Sequence, residues 1–221
     1  MRTIKFFRNL FLGLSLSLVL AACGGPQSGS SNSAGAAKLQ LQDIIVGEAD
    51  APLTLIEYAS WTCAACLDFH TRIMPDIKTN YIDTGKVKLI FREFPTAPAN
   101  LSVAGFVIAR CAGVNNYTDV VDELFSRQSA FITLARNGDQ VTEALKQVAR
   151  NHGIADDAAY DACMQAAENR DAIRASIAAG RAIEVTGTPT FILNGTTVPA
   201  SAHISVESFS EVLDTALATA N

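Results

Sequence analysis

The sequence lacks a concentrated basic patch. Its 22 acidic residues outnumber 17 basic ones, for a net charge of −5, which argues against a nucleic-acid partner. Its leading apolar run, residues 10–20 (LFLGLSLSLVL), is too short for a typical bilayer-spanning helix. It lacks a second Cys-x-x-Cys, and His70, His152 and His203 are scattered without ligand spacing. A four-ligand zinc site cannot be drawn from such a set, so no metal is expected. No internal repeat is visible. What the chain does have is apolar bulk, 49% of 221 residues. That is enough for one sizeable domain, or one domain with an insertion.

The first residues carry Arg2, Lys5 and Arg8 and no acid, followed by the apolar run. This is the order of an export signal. The run ends in Leu20-Ala21-Ala22-Cys23-Gly24, which resembles the lipobox of bacterial lipoproteins. The resemblance implies cleavage before Cys23, acylation of that residue and a membrane anchor. Several acyl chains anchor stably, since each buried CH₂ is worth about 0.8 kcal/mol. Residues 24–37 (GGPQSGSSNSAGAA) hold almost no apolar bulk and predict a flexible tether. The expected organisation is a lipoprotein-type signal peptide at 1–22 and a tether at 23–38. Folded structure then begins near residues 39–44.

Five cysteines stand at 23, 63, 66, 111 and 163. The lipobox takes Cys23, and Cys63 and Cys66 form a Cys-x-x-Cys. Cys111 and Cys163 remain, each on an apolar helical stripe, and an oxidising compartment favours their pairing. Two separate buried thiols are the alternative.

Residues 53–58 (LTLIEY) form a near-continuous apolar run that predicts a buried strand. A short turn leads to a helix from Cys63, kinked at Pro75. Gly85 precedes a second strand at 87–91 (VKLIF). The two strands are expected to be parallel, as in a βαβ unit. Residues 99–183 read as helical throughout. The period then switches: 190–193 (TFIL) predicts a strand and Asn194-Gly195 a hairpin turn. Ser205 is placed to cap a final amphipathic helix.

A Cys-x-x-Cys at a helix start brings two sulfurs within disulfide reach. The helix N-terminus there favours a thiolate on the first of them. Cys63 is thus the expected nucleophile, with Cys66 beneath it to resolve the mixed disulfide. Glu57 is the only charge in its strand. A buried acid there is expected to have a raised pKa and to take the Cys66 proton. Pro189, in Gly187-Thr188-Pro189-Thr190, belongs at a strand start because it cannot donate to the ladder.

The segment from Glu57 through Trp61 and Cys63 to Cys66, with Phe69-His70 after it, resembles the active-site segment of the DsbA family. So do residues 47–52 (GEADAP) and the Thr188-Pro189 step. The resemblance spans about residues 44–217. It implies an α/β, thioredoxin-like fold at 39–97 and 184–221. A helical domain, 98–183, is inserted between the βαβ half and the C-terminal ββα half. It implies Cys63 as nucleophile, Cys66 as resolving cysteine, Glu57 as buried acid and Pro189, in a cis-proline loop, facing the disulfide. Thr188 would offer backbone groups to a substrate strand. Trp61 is placed as a wall or platform for substrate, and His70 as a packing residue.

One departure stands out. Ala64-Ala65 separates the cysteines where the best-known members carry Pro-His. Alanine supplies no donor to the thiolate, so a higher nucleophile pKa and a less oxidising disulfide are expected. The function implied is an exported oxidase with no cofactor beyond its own Cys63–Cys66 disulfide. Its partners would be reduced exported proteins and a membrane-bound, DsbB-like reoxidising protein, and it would act as a monomer facing the periplasm. The competing expectations are a membrane-tethered reductase or isomerase, for example in cytochrome c maturation, and a tethered metal-binding or chaperone module.

Overall fold

The computed structural model describes residues 41–138 and 140–220. The signal, Cys23 and the tether lie outside the described residues. A five-stranded sheet organises the described chain in the order β1-β3-β2-β4-β5. Its strands are β1 (Ile44–Val46), β2 (Leu53–Ala59), β3 (Val87–Glu93), β4 (Thr190–Leu193) and β5 (Thr196–Thr197). β2 and β3 pair in parallel, Leu55 opposite Leu89. β1 and β4 run antiparallel to β3 and β2 respectively. The βαβ expectation holds, and β1 is an addition. Three residues are too few to register as a period.

Between β2 and β3 lie α1 (Ala64–Arg72), α2 (Met74–Ile77) and a wide helical turn at Lys78–Ile82. Pro75 acts as expected: the helix breaks at Ile73, and Pro75 sits in the first turn of α2, where its missing N–H costs nothing. Between β3 and β4 run six helices: α3 (Ala99–Cys111), α4 (Tyr117–Ser126), α5 (Gln128–Asn137), α6 (Val141–Asn151), α7 (Asp157–Gln165) and α8 (Ala167–Ala182). The β4–β5 turn is built as its sequence requires, with Asn194 at φ 47° and Gly195 at φ 85°. α9 (Val206–Ala220) closes the chain, and Ser205 Oγ accepts from Ser208 N–H at 3.2 Å to cap it.

The fold is thioredoxin-like, with the helices inserted where expected. Two clusters make most of the core. On one face of the sheet Leu53 and Leu55 meet Phe69, Ile73, Phe191, Phe209 and Leu213. The rings of Phe69, Phe191 and Phe209 lie 4.5–5.1 Å apart. Truncating one such ring costs about 3–5 kcal/mol. The second cluster joins Ala59, Trp61, Cys66 and Phe91 to Phe106, Leu124, Phe131 and Val148 of the helices. The helical segment therefore shares a core with the sheet and reaches the turn before α1. Cys111 and Cys163 are joined in a disulfide between the ends of α3 and α7, with a sequence separation of 52. Closing a loop of that length stabilises by about 4 kcal/mol on chain-entropy grounds.

Candidate active site

β2 ends at Ala59, and Ser60–Thr62 turn the chain into α1. Cys63 is the N-cap of that helix, in extended backbone (φ −87°, ψ 124°), with no acid in the first turn. Its own N–H donates to Ser60 O at 3.0 Å. The N–H groups of the first turn are then left facing the sulfur. Cys63 is half-buried and Cys66 is fully buried.

The two sulfurs are electrostatically unequal. The Cys63 thiol is lowered from 9.0 to about 5, first by a hydrogen bond from Cys66. Partial burial opposes this, while the Thr188 side chain and the N–H groups of Cys66 and Ala65 add to it. Cys66 is pushed strongly upward, first by burial, then by the Cys63 sulfur and by the Glu57 charge. One sulfur is thus a thiolate at neutral pH and the other a thiol.

The Thr188–Pro189 peptide is cis and lies against the nucleophile. As a thiol, Cys63 donates to Thr188 O at 3.3 Å. The Thr188 hydroxyl is buried with no hydrogen-bond partner among the described residues, so it is available to the thiolate. The sequence placed Thr188 opposite substrate. The fold also places it against the attacking sulfur.

Glu57 is completely buried, but it is not the solitary acid expected. Its two oxygens lie 3.1 and 3.3 Å from His70 Nε2. His70 also stacks on Phe125 at 4.5 Å, so the packing role assigned to it is half of the story. Burial disfavours the imidazolium, yet the Glu57 carboxylate outweighs this by charge and hydrogen bond, with Asp122 adding, and raises His70 above 6.5. His70 lines a cavity of about 130 Å³ with Met74, Lys78 and Asp122. That is room for several waters.

Trp61 requires a correction. It is fully buried and presents no platform to substrate. Its Nε1–H donates to Ser102 O at 2.9 Å, and its ring meets Phe131 edge-on at 5.5 Å. Gly105 admits it: a Cβ there would lie 2.6 Å from Trp61 Cε2. The indole is drawn inward because the helices supply both an apolar slot and an acceptor.

Sequence reasoning missed the groups that hold the turn. Ser60 Oγ lies 2.9 Å from Thr62 Oγ1 and 2.8 Å from Ser102 Oγ, and Thr62 Oγ1 lies 3.0 Å from Thr96 Oγ1. From the other side, Gln128 Nε2 donates to Trp61 O at 2.7 Å and Cys63 O at 3.0 Å. No local motif marks Gln128. Its only signal is a polar residue before an apolar helical stripe. Among the described residues, no group of three or more His, Cys, Asp and Glu could hold a metal. No described helix is long and apolar enough to cross a membrane.

This fold and paired-cysteine site define a thioredoxin-type protein. The family model described as Thioredoxin matches residues 40–215. The chain belongs to that family, in the DsbA-like arrangement with inserted helices. It is 28% identical over 186 residues to a chain of Rickettsia conorii named as a protein-disulfide oxidoreductase, covering 81% of this chain and 62% of that one. The chain thus spans about 62% of the length of that curated relative. Over 47 residues it is 38% identical to disulfide bond formation protein D of Bacillus subtilis, about 21% of either chain. Among solved structures, Wolbachia pipientis alpha-DsbA1 superposes with a TM-score of 0.66 at 24% identity, covering 83% of this chain and 95% of that one. BdbD of Bacillus subtilis gives 0.59 at 18%, covering 80% and 93%. These last two likenesses are of fold.

Proposed function

We propose that the protein is a thiol–disulfide oxidoreductase that oxidises exported proteins through Cys63 and Cys66. One observation supports this above others. A half-exposed sulfur sits at the start of α1, over a buried sulfur and against Thr188-Pro189. In the oxidised protein Cys63 and Cys66 share a disulfide. A substrate thiolate attacks Cys63 Sγ, the Cys63–Cys66 bond breaks, and Cys66 leaves with the electron pair. Cys66 then takes a proton. The hydrogen-bonded Glu57–His70 pair relays it, the proton leaving the His70 side and passing through the Glu57 carboxylate. A second substrate thiolate attacks the substrate sulfur of the mixed disulfide and releases Cys63 as thiolate. The substrate loses two electrons and the enzyme pair gains them.

Direction follows from the leaving group. A sulfur that titrates at about 5 leaves readily and favours substrate oxidation. Ala64-Ala65, in place of Pro-His, adds no side-chain donor to that thiolate. That same dipeptide is what favours the second reading, a membrane-tethered reductase or isomerase.

The setting belongs to the same proposal. Residues 1–22 direct export, Cys23 carries the lipid and residues 23–38 tether a monomeric catalytic unit. That unit comprises a thioredoxin-like part at 39–97 and 184–221 and a helical part at 98–183. A membrane-bound DsbB-like protein would reoxidise the pair. The test is a pair of assays, oxidation of reduced ribonuclease and reduction of insulin, on wild type and Cys63→Ala. Oxidation by wild type and none by Cys63→Ala is expected. Equal oxidation by the variant would reject Cys63 as nucleophile. Activity with insulin alone would favour the reductase, and inactivity in both assays the binding or chaperone module.

A further inference from the structure

The backbone of the reactive turn is held from the helical segment. Ser102 on α3 engages Ser60 and the Trp61 indole. On the opposite side Gln128, the first residue of α5, is 5% exposed and uses one amide nitrogen for two carbonyls. Nε2 carries two hydrogens, and Trp61 O and Cys63 O lie within 2.7 and 3.0 Å of it. Cys63 O also accepts the first helical bond of α1, from Leu67 N–H at 3.0 Å. The orientation of the Trp61–Cys63 turn, and with it the aim of the first N–H groups of α1, therefore depends on a side chain 65 residues away.

We propose that Gln128 is a positioning residue for the nucleophile: by clasping the Trp61 and Cys63 carbonyls it keeps the α1 N–H groups directed at Cys63 Sγ, so that the seating of α5 sets the reactivity of Cys63. The proposal rests on Cys63 being the nucleophile. Its chemistry is simple. A carbonyl held by a buried donor cannot rotate, and a thiolate is stabilised by N–H groups only when they point at it. A residue that merely filled space would affect stability and leave the sulfur unchanged.

The test separates the two. Gln128→Leu removes both donors at similar size, and Gln128→Glu replaces the donor with an acceptor facing two carbonyls. Val148→Ala serves as comparator, since Val148 is buried in the same cluster on α6 and its hydrocarbon side chain has no hydrogen bond to offer the turn. Three quantities are read on the full chain: melting temperature, the pH dependence of alkylation of Cys63 by iodoacetamide, and the redox titration followed by fluorescence of Trp61, the single tryptophan. Losing the two buried hydrogen bonds to the turn is expected to raise the Cys63 midpoint by about one pH unit, a roughly tenfold loss of thiolate below that midpoint. Gln128→Glu should exceed Gln128→Leu, and Val148→Ala should lower the melting temperature with no shift of the midpoint. The proposal is overturned if both Gln128 variants alkylate with the wild-type profile, or if Val148→Ala shifts it as far as they do. If one variant does not fold, the other still decides. If wild-type Cys63 is itself no more acidic than a free thiol, the functional reading fails instead, and that outcome is visible before any variant is made.

Discussion

At the scale of single residues, the site works by making two like groups unlike. Cys63 gains N–H donors, a helix N-terminus and the Cys66 hydrogen bond, whereas Cys66 is enclosed beside Glu57. The sequence made the order of the two cysteines legible, because a helix start favours charge on its first residue. It did not make the Glu57–His70 pair legible. Thirteen residues and a strand-to-helix turn separate them, and Phe69-His70 looks the same whether His70 packs or pairs. Both occur: His70 stacks on Phe125 and binds Glu57. A histidine whose folded pKa is raised by a partner contributes stability that is complete below its ordinary 6.5 and is lost as pH rises through the folded value. Glu57→Gln removes the counter-charge and leaves the burial. In that variant the His70 imidazole is expected to fall below 6.5, read by its ring proton resonances against pH. An unchanged titration would mean that Glu57 does not set the charge of His70.

At the scale of elements, α1 is only as well placed as the turn before it, and that turn is moulded by α3 and α5. Trp61 exemplifies this. Two residues before a reactive cysteine, an aromatic suggests a surface for substrate, yet its indole is spent on joining the turn to α3. Sequence reading could not see this because the slot is made by Gly105, 44 residues downstream. A close approach of this kind has no local signature. Gly105→Ala drives a methyl group against the indole and against Leu124, and such overpacking costs about 1–3 kcal/mol. The expected result in chemical denaturation is a loss of that size together with a shifted Trp61 emission. Wild-type stability and emission would show that the slot yields without strain. Other elements were plain from local pattern: β2 and β3 from near-continuous apolar runs, the Asn194-Gly195 hairpin from its residue types, and α9 from its cap and stripe.

At the scale of the molecule, the helical segment is not a detachable module. It shares a core with the sheet through Phe91, Trp61 and Phe106, and the Cys111–Cys163 disulfide fastens α3, which carries Ser102 and Gly105, to α7. The architecture was legible because strand, paired cysteines, strand, helices and hairpin follow one another in a recognisable order. How the helices grip the active-site turn was not, since every one of those contacts is long-range. A depressed cysteine also links the redox state to folding. The folded pKa of Cys63 lies below its ordinary value. The stabilisation it gives the reduced protein is therefore complete above that ordinary value and lost as pH falls through about 5.

The most direct measurement is the ultraviolet absorbance of thiolate in the reduced full chain as a function of pH, on wild type and Cys63→Ser. One thiolate is expected to appear with a midpoint of about 5, while Cys66 stays protonated through neutral pH, and Cys63→Ser should abolish that transition. A midpoint near the ordinary 9.0, or an acidic transition that survives in Cys63→Ser, would contradict the assignment of Cys63 as the stabilised nucleophile.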